Sequence, residues 1–277
     1  MIGILLALSS AASWGAGDFL GGLAARKQSP FQVLLLMASS SLLFLFLLAV
    51  LWGEHFPSLN NILIALVAGA CGSLALVALY KGLGLGNAAL VSSVTGVVGA
   101  IIPTLVGMFI EGLPGTLQLI GFGLSMAGIW LVTLTKDGNV EIVKKGLGLA
   151  LLSGLGFGGF LSIIAQMKGE QVFAPLVFAK LAALSVAMIM LRLRRIPFPK
   201  LAGSAIALCA GVLDTGGNFL YLFATQFTRL DIAAVLSSLF PAATVLLSGV
   251  FLKEKMSRSQ WLGVGVCLLA IALITSG

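Results

Sequence analysis

The sequence predicts an all-α integral membrane protein: ten transmembrane helices in two inverted-topology five-helix repeats. Three observations lead there. Hydrophobic residues make up 59% of the 277-residue chain and charged residues only 9%, against roughly 25% charged in soluble domains. Uncharged windows long enough to cross a hydrocarbon core, at ~1.5 Å of rise per residue, recur along the whole chain. Finally, residues 87–132 and 231–274 carry the same parts in the same order: an Ala pair, a Ser pair, a long apolar run, a Glu at a polar break, a Gln, a Gly and a second apolar run. Ser92 and Ser93 recur 145 residues on as Ser237 and Ser238, Glu111 recurs 143 on as Glu254, and Gln118 and Gly121 recur 142 on as Gln260 and Gly263. So small a drift over half the chain marks one duplicated unit.

The spans follow in order. Residues 2–25 form the first, with a single interior acid, Asp18; they lack the charged start of a signal peptide, so they are expected to stay as a helix. Residues 30–53, 56–80, 82–110 and 112–135 are the next four and carry no charge. Gly82, Gly84 and Gly86 read as a flexible turn between the third and fourth; GLGLG lacks the spacing of a dinucleotide fingerprint. The second half supplies 146–166, 172–191 around Lys180, 201–225 around Asp214, 231–252 and 260–276. Helices are required because a segment away from water must satisfy its backbone internally, and the short alternating strands of a barrel are missing.

The link 136–145 separates a first repeat at 1–135 from a second at 146–277, and only it and the basic bend 192–200 interrupt otherwise short connections. No room remains for an extramembrane domain. Five spans per half is an odd number, so the second copy enters the membrane from the opposite side. That is the inverted repeat of many secondary carriers, with substrate held near the midplane and access alternating. Thirteen Lys and Arg (Arg26, Lys27, Lys81, Lys136, Lys144, Lys145, Arg192, Arg194, Arg195, Lys200, Lys253, Lys255, Arg258) fall on the side of the 1–2, 3–4, 5–6, 7–8 and 9–10 connections; only Lys168 and Arg229 fall on the other. The positive-inside rule then puts both termini outside. The net charge of +7 reads as topology and lipid attraction, with no nucleic-acid partner.

Covalent chemistry has no foothold. His55 is the one histidine and lies in a connection, no metal cluster or Ser-His relay can be assembled, and Cys71, Cys209 and Cys267, inside spans, are expected to be small buried residues. No Walker loop is present, so gradients rather than ATP are the expected energy source. The chain is expected to be no enzyme, to need no cofactor, and to work in the lipid bilayer of the plasma (inner) membrane as a multi-pass monomer or homodimer.

AASWGAGDF at 11–19, the run LSSLFPAATVLLSGVFLKEKMSRSQWLGVGVCLLAIALI at 236–274 and its weaker copy in the first half resemble the EamA-type branch of the drug/metabolite transporter superfamily. Pro241, Glu254, Gln260 and Gly263 at their mutual spacing carry the likeness most specifically, with Trp14 and Gly15 adding to it. The resemblance implies a ten-helix carrier of small organic metabolites with a cavity between the halves, and an orientation with both termini in the cytoplasm, opposite to the charge count. The first repeat departs by having Gly96 where the second has Pro241, with Pro103 seven residues further on.

Charges inside spans are the sharpest functional lead, since each costs about 2.5–3.5 kcal/mol at a helix centre. Asp214 stands midway along the eighth span with Asn218 and Tyr221 one and two turns on along the same face. Such a stripe can bind an ammonium or hydroxyl group or exchange a proton; alternatively Asp214 is a structural acid paired with Lys180, and the two roles are compatible. Asp18 follows Trp14 by one turn, which suits a cationic or zwitterionic solute, unless the acid instead reaches Arg26 or Lys27. Ser92, Ser93 and Thr95, and in the second copy Ser237 and Ser238, either line the cavity or let helices approach, with packing favoured. Tyr80 joins the binding or coupling candidates from the third span.

Pro103 and Pro241 each remove a backbone hydrogen bond within a span and serve as hinges or expose carbonyl ligands. Gly17/Gly21 and Gly154/Gly158 read as close-contact pairs, and Glu111 and Glu254 close their helices. The function expected is secondary transport of small organic metabolites, as an exporter of amino acids or related or cationic compounds, with proton or sodium coupling. The alternative is uptake of a sugar or other neutral metabolite coupled to a cation gradient.

Overall fold

The computed structural model describes residues 1–83, 88–133, 140–167, 171–200, 204–251 and 257–276, and every regular element among them is helical. The helices are α1 (Ile2–Ala25), α2 (Pro30–Leu51), α3 (Leu59–Leu83), α4 (Ala88–Glu111), α5 (Thr116–Thr133), α6 (Val140–Ile164), α7 (Phe173–Leu193), α8 (Ala205–Phe227), α9 (Leu230–Ser237), α10 (Phe240–Phe251) and α11 (Arg258–Ser276). Among the described residues, eight stretches are long and apolar enough to cross a membrane, and Thr116–Leu131 and Trp261–Ile274 are shorter apolar helices.

One expectation is corrected. The ninth span is not one helix: α9 stops at Ser237, α10 starts at Phe240, and Pro241 therefore sits in a first turn, where its missing N–H was never needed. Pro103, by contrast, lies inside unbroken α4. The carbonyl it leaves without a helical donor is that of Gly99, which packs beside Gly158 of α6. α6 begins at Val140, so its first turns extend into the link ahead of the span Lys145–Ile164, because VEIVKK has neither Gly nor Pro to stop it.

Helix ends are tied across the bundle. Ser29 and Gln32 form a reciprocal capping box ahead of Pro30 on α2. At the other end of α2, the Glu54 carboxylate accepts from the backbone N–H groups of Val172, Phe173 and Ala174 at 2.9, 3.2 and 2.6 Å, capping α7. Glu111, at the end of α4, likewise accepts from Leu230 N–H at 3.1 Å. Arg229 closes this corner: it donates to both carboxylate oxygens of fully buried Asp231, at 3.1 and 2.8 Å, and to the carbonyls of Glu111 and Gly112. The bond to Asp231 raises the pKa of the guanidinium above its ordinary value.

In packing, α1 lies on α8, α3 on α6, α5 on α11, α2 on α7 and α8, α3 on α7, α4 on α6 and α9, and α1 on α9 and α10. Small residues set the approach. Gly69 of α3 faces the backbone of Ala179 on α7, and Gly211 of α8 faces that of Met37 on α2, each too close to admit a Cβ. Hydroxyls bond across seams as well: Ser41 donates to Gly211 O at 2.8 Å between α2 and α8, and Ser153 to Ala75 O at 2.9 Å between α6 and α3. The outward faces are apolar, as with Leu43, Phe46, Leu47 and Val50 of α2, which suits lipid rather than water.

Candidate functional site

Two neighbouring cavities lie among α1, α2, α3, α4, α6, α7, α8 and the α9–α10 break, with empty volumes of about 520 and 480 Å³ including their open mouths. They share Leu76, Phe157, Phe160, Asp214 and Asn218. The first adds Ala38 and Ser41 from α2, Gly69 and Gly72 from α3, and Lys180 from α7. The second adds Trp14 and Asp18 from α1, Thr95 and Gly99 from α4, Ser238 from the break and Phe240 from α10.

The seam between α1 and α8 builds the floor that holds the polar groups. Ser10 donates to Gly217 O at 2.8 Å and Ser13 to Leu213 O at 2.6 Å. Gly217 must lack a side chain because the Trp14 indole lies directly on it. The indole N–H points at α8, 3.1 Å from Asp214 O and 3.3 Å from Asn218 Oδ1, so Trp14 presents its ring to the cavity with its donor already used. Tyr221 and Phe240 brace that ring, with centroids 5.9 and 6.5 Å away.

Lys180 Nζ donates to Asp214 Oδ2 as an ion pair, with the two side chains 12% and 20% exposed. Asn218 Nδ2 donates to the same oxygen at 3.2 Å. The carboxylate is thus held by a cation and an amide, and both of its α8 residues face the cavity. Asp18 differs: it lines the second cavity, and among the described residues no hydrogen bond or ion pair reaches it. Arg26 and Lys27, the alternative partners read from the sequence, are exposed beyond the end of α1.

The remaining candidates spread out. Tyr221 is fully buried behind Trp14, lines neither cavity, and donates to Leu161 O at 3.3 Å. Tyr80 is also buried, against Gly21, with its hydroxyl 3.4 Å from Met37 Sδ. Ser237 donates to Ala7 O at 3.2 Å and so joins α9 to α1, whereas Ser238 lines the cavity at the helix break. Thr95 lines it too, 3.3 Å from Ala150 O. The side chains of Ser92, Ser93 and Gln260, and all of Gly84, Gly86 and Glu254, lie outside the described residues. Gly17 packs on the α8 backbone at Asp214 while Gly154 and Gly158 pack on Val98 and Ile102 of α4, so the two glycine pairs meet different neighbours.

Phe157, Phe160 and Phe240, the aromatic walls, were not singled out by sequence reasoning. The signal for Phe157 and Phe160 is GFGGF at 156–160, where glycines flank rings in an otherwise aliphatic helix; Phe240 is marked only by its place before Pro241. Ala38 and Gly72, which leave the space beside the ion pair, carry no chemistry of their own and become visible only once α2 and α3 are placed opposite α7 and α8.

The model of the EamA-like transporter family matches residues 1–134 and again residues 144–276. An uncharacterized transporter of Bacillus subtilis, YwfM, is 31% identical over 159 residues, covering 55% of this chain and 52% of that protein. A second uncharacterized transporter, sll1319 of Synechocystis, is 24% identical over 167 residues, covering 58% of this chain and 50% of its own length. The chain thus spans about half the length of these curated relatives. A protein of known crystal structure superposes over 99% of this chain and 96% of its own, with a TM-score of 0.76 at 16% identity, a likeness of fold. Matched twice over nearly its whole length by one family model, this multi-pass membrane protein belongs to the EamA-like transporter family.

Proposed function

We propose that the protein is a secondary carrier of small organic metabolites in the plasma membrane, an exporter of amino acids or related or cationic compounds, working by alternating access between two inverted five-helix repeats. The observation that carries this reading is the symmetry of packing around a mid-span polar cavity. Shifting every span by five exchanges the contacts among themselves: α1 on α8 becomes α6 on α3, α2 on α8 becomes α7 on α3, α4 on α6 becomes the α9–α10 pair on α1, and α2–α7, α4–α9 and α5–α11 map onto themselves. Close approaches obey the same shift, since Gly69 on Ala179 becomes Gly211 on Met37 when 142 is added to one number and taken from the other. A cavity whose walls come from both halves at such an axis is where a rocking carrier exposes substrate to alternate sides.

Within the cavity the acids divide the work. Asp214, tied to Lys180 and Asn218, acts as a fixed counter-ion and scaffold. Asp18 is the open carboxylate and takes the coupling proton or the positive group of the substrate. The test uses vesicles loaded with a mixed pool of amino acids and amines, an imposed pH gradient and mass-spectrometric readout of flux. Asp18→Asn is expected to lose gradient-driven accumulation but keep downhill exchange if Asp18 carries the proton, and to lose both if it holds substrate. Gradient-driven flux at the wild-type level in Asp18→Asn sinks this assignment, and absence of any flux in the wild type sinks the carrier reading.

A further inference from the structure

We infer that, of the solutes proposed above, the cavity takes the cationic ones: it selects organic monocations with an apolar or aromatic body and rejects zwitterionic amino acids and anions. This rests on reading the cavity as the substrate site of a carrier. Three charged groups among the described residues face it: the carboxylates of Asp18 and Asp214 and the ammonium of Lys180. The ammonium is already matched, because it donates to Asp214, whose Oδ2 also takes the Asn218 amide at 3.2 Å. Asp18 is matched by nothing among the described residues. With Asp18 ionised, the cavity therefore presents one unbalanced negative charge and, among the described residues, no free cation.

That count discriminates between solutes. A monocation neutralises Asp18 and leaves the existing pair intact. A zwitterion brings a carboxylate as well, and among the described residues the only ammonium on the cavity to meet it is Lys180. Reaching Lys180 means prising it from Asp214 and leaving that carboxylate unpaired on the same cavity as Asp18, a like-charge arrangement in low dielectric. An anion meets the same obstacle without the compensating contact at Asp18. The walls agree: Trp14, Phe157, Phe160 and Phe240 surround the second cavity, and the Trp14 donor is spent on α8, so the rings offer their faces to a cation or an apolar body rather than hydrogen bonds to a carboxylate. Specificity arises here as much from what is refused as from what is held.

Three probes sharing a phenyl body test this: 2-phenylethylamine as the monocation, phenylalanine as the zwitterion and phenylacetate as the anion. Equilibrium binding to the purified full chain is measured by calorimetry. The amine is expected to bind, phenylalanine at least about 10-fold more weakly, and phenylacetate not detectably at millimolar concentration. Asp18→Asn should weaken the amine by about 10-fold or more, while Asp18→Glu keeps it within a few-fold, so charge rather than side-chain shape is read. The comparison of probes on the wild type needs no variant and decides the matter alone. Phenylalanine binding as tightly as the amine, undiminished amine binding to Asp18→Asn, or no binding by any probe overturns the inference. In vesicles the two readings separate: an amine that binds but is never moved sinks the carrier and leaves the selectivity, whereas preferred movement of phenylalanine keeps the carrier and sinks the selectivity.

Discussion

Lys180 and Asp214 stand in the second half where the first half, 142 residues earlier, has Ala38 and Gly72, and all four line the same cavity. The register is fixed independently, since the backbone contact of Gly69 with Ala179 and that of Gly211 with Met37 are related by the same 142. The two copies have therefore kept the backbone approach and divided the chemistry. Small residues on α2 and α3 leave the space, and the ion pair on α7 and α8 supplies the charge that faces it. A symmetric ion pair would have filled the space from both sides.

The largest effect tests the shared part of this comparison. Leucine at Gly69 or at Gly211 would have to push apart two helix backbones, which cannot yield as a flexible side chain can, so each substitution is expected to destabilise by more than about 3 kcal/mol. Yield of monodisperse protein and thermal unfolding by fluorescence are the readouts. The repeat relation demands that both fail alike. If Gly69→Leu is tolerated while Gly211→Leu is not, the seams are not equivalent and the symmetry of packing is only apparent.

A smaller effect tests the part the halves do not share. Removing one member of the pair strands a charge, so Lys180→Met or Asp214→Leu alone is expected to lower stability by about 2 kcal/mol, below the ~3–5 of a sealed pair because the side chains keep 12% and 20% exposure. The double substitution restores the apolar character that Ala38 and Gly72 give the first half, and should recover most of the loss. A double variant as unstable as the worse single one would mean that the two groups act separately and that the pair is not the unit added to the second half.

How much of this could be read in the sequence depended on what each feature needs to be visible. Membrane spans are legible because lipid imposes long uncharged windows, and Asp214 and Lys180 stood out because charge inside such windows is costly. Their contact was only one of two readings, since depth along a helix does not say which faces meet. The break before Pro241 was misread: proline marks an interruption, but whether it lies inside a bent helix, as Pro103 does, or opens a new one depends on how residues 238–239 pack. Tyr221 illustrates the limit of spacing. It shares a helical face with Asp214 and Asn218 by periodicity, yet the Trp14 ring lies over it and its hydroxyl turns to Leu161. A stripe on one helix becomes part of a cavity only where the neighbouring helix leaves it uncovered.

The smallest expected effect concerns Gly96 and Pro241, which occupy the same place in the duplicated unit and touch each other: a Cβ on Gly96 would lie 2.9 Å from Pro241 Cγ. If the halves are related by the proposed two-fold axis, equivalent residues near that axis become neighbours, so a bulky group in one copy forbids it in the other. This gives a physical reason for the departure of the first repeat from the second. Gly96→Ala is then expected to destabilise by about 1 kcal/mol, because the pyrrolidine ring must shift by a few tenths of an ångström. Pro241→Ala alone should stay within about 0.5 kcal/mol, since the proline sits in a first turn where its N–H has no partner to lose. Combined, the two should be nearly additive only if the contact is irrelevant; if the ring is what excludes a side chain from position 96, the alanine there becomes harmless once the ring is gone. An undiminished penalty for Gly96→Ala in the Pro241→Ala background would assign the glycine instead to its other close neighbour, Ile129 on α5, at 3.3 Å from the same Cβ.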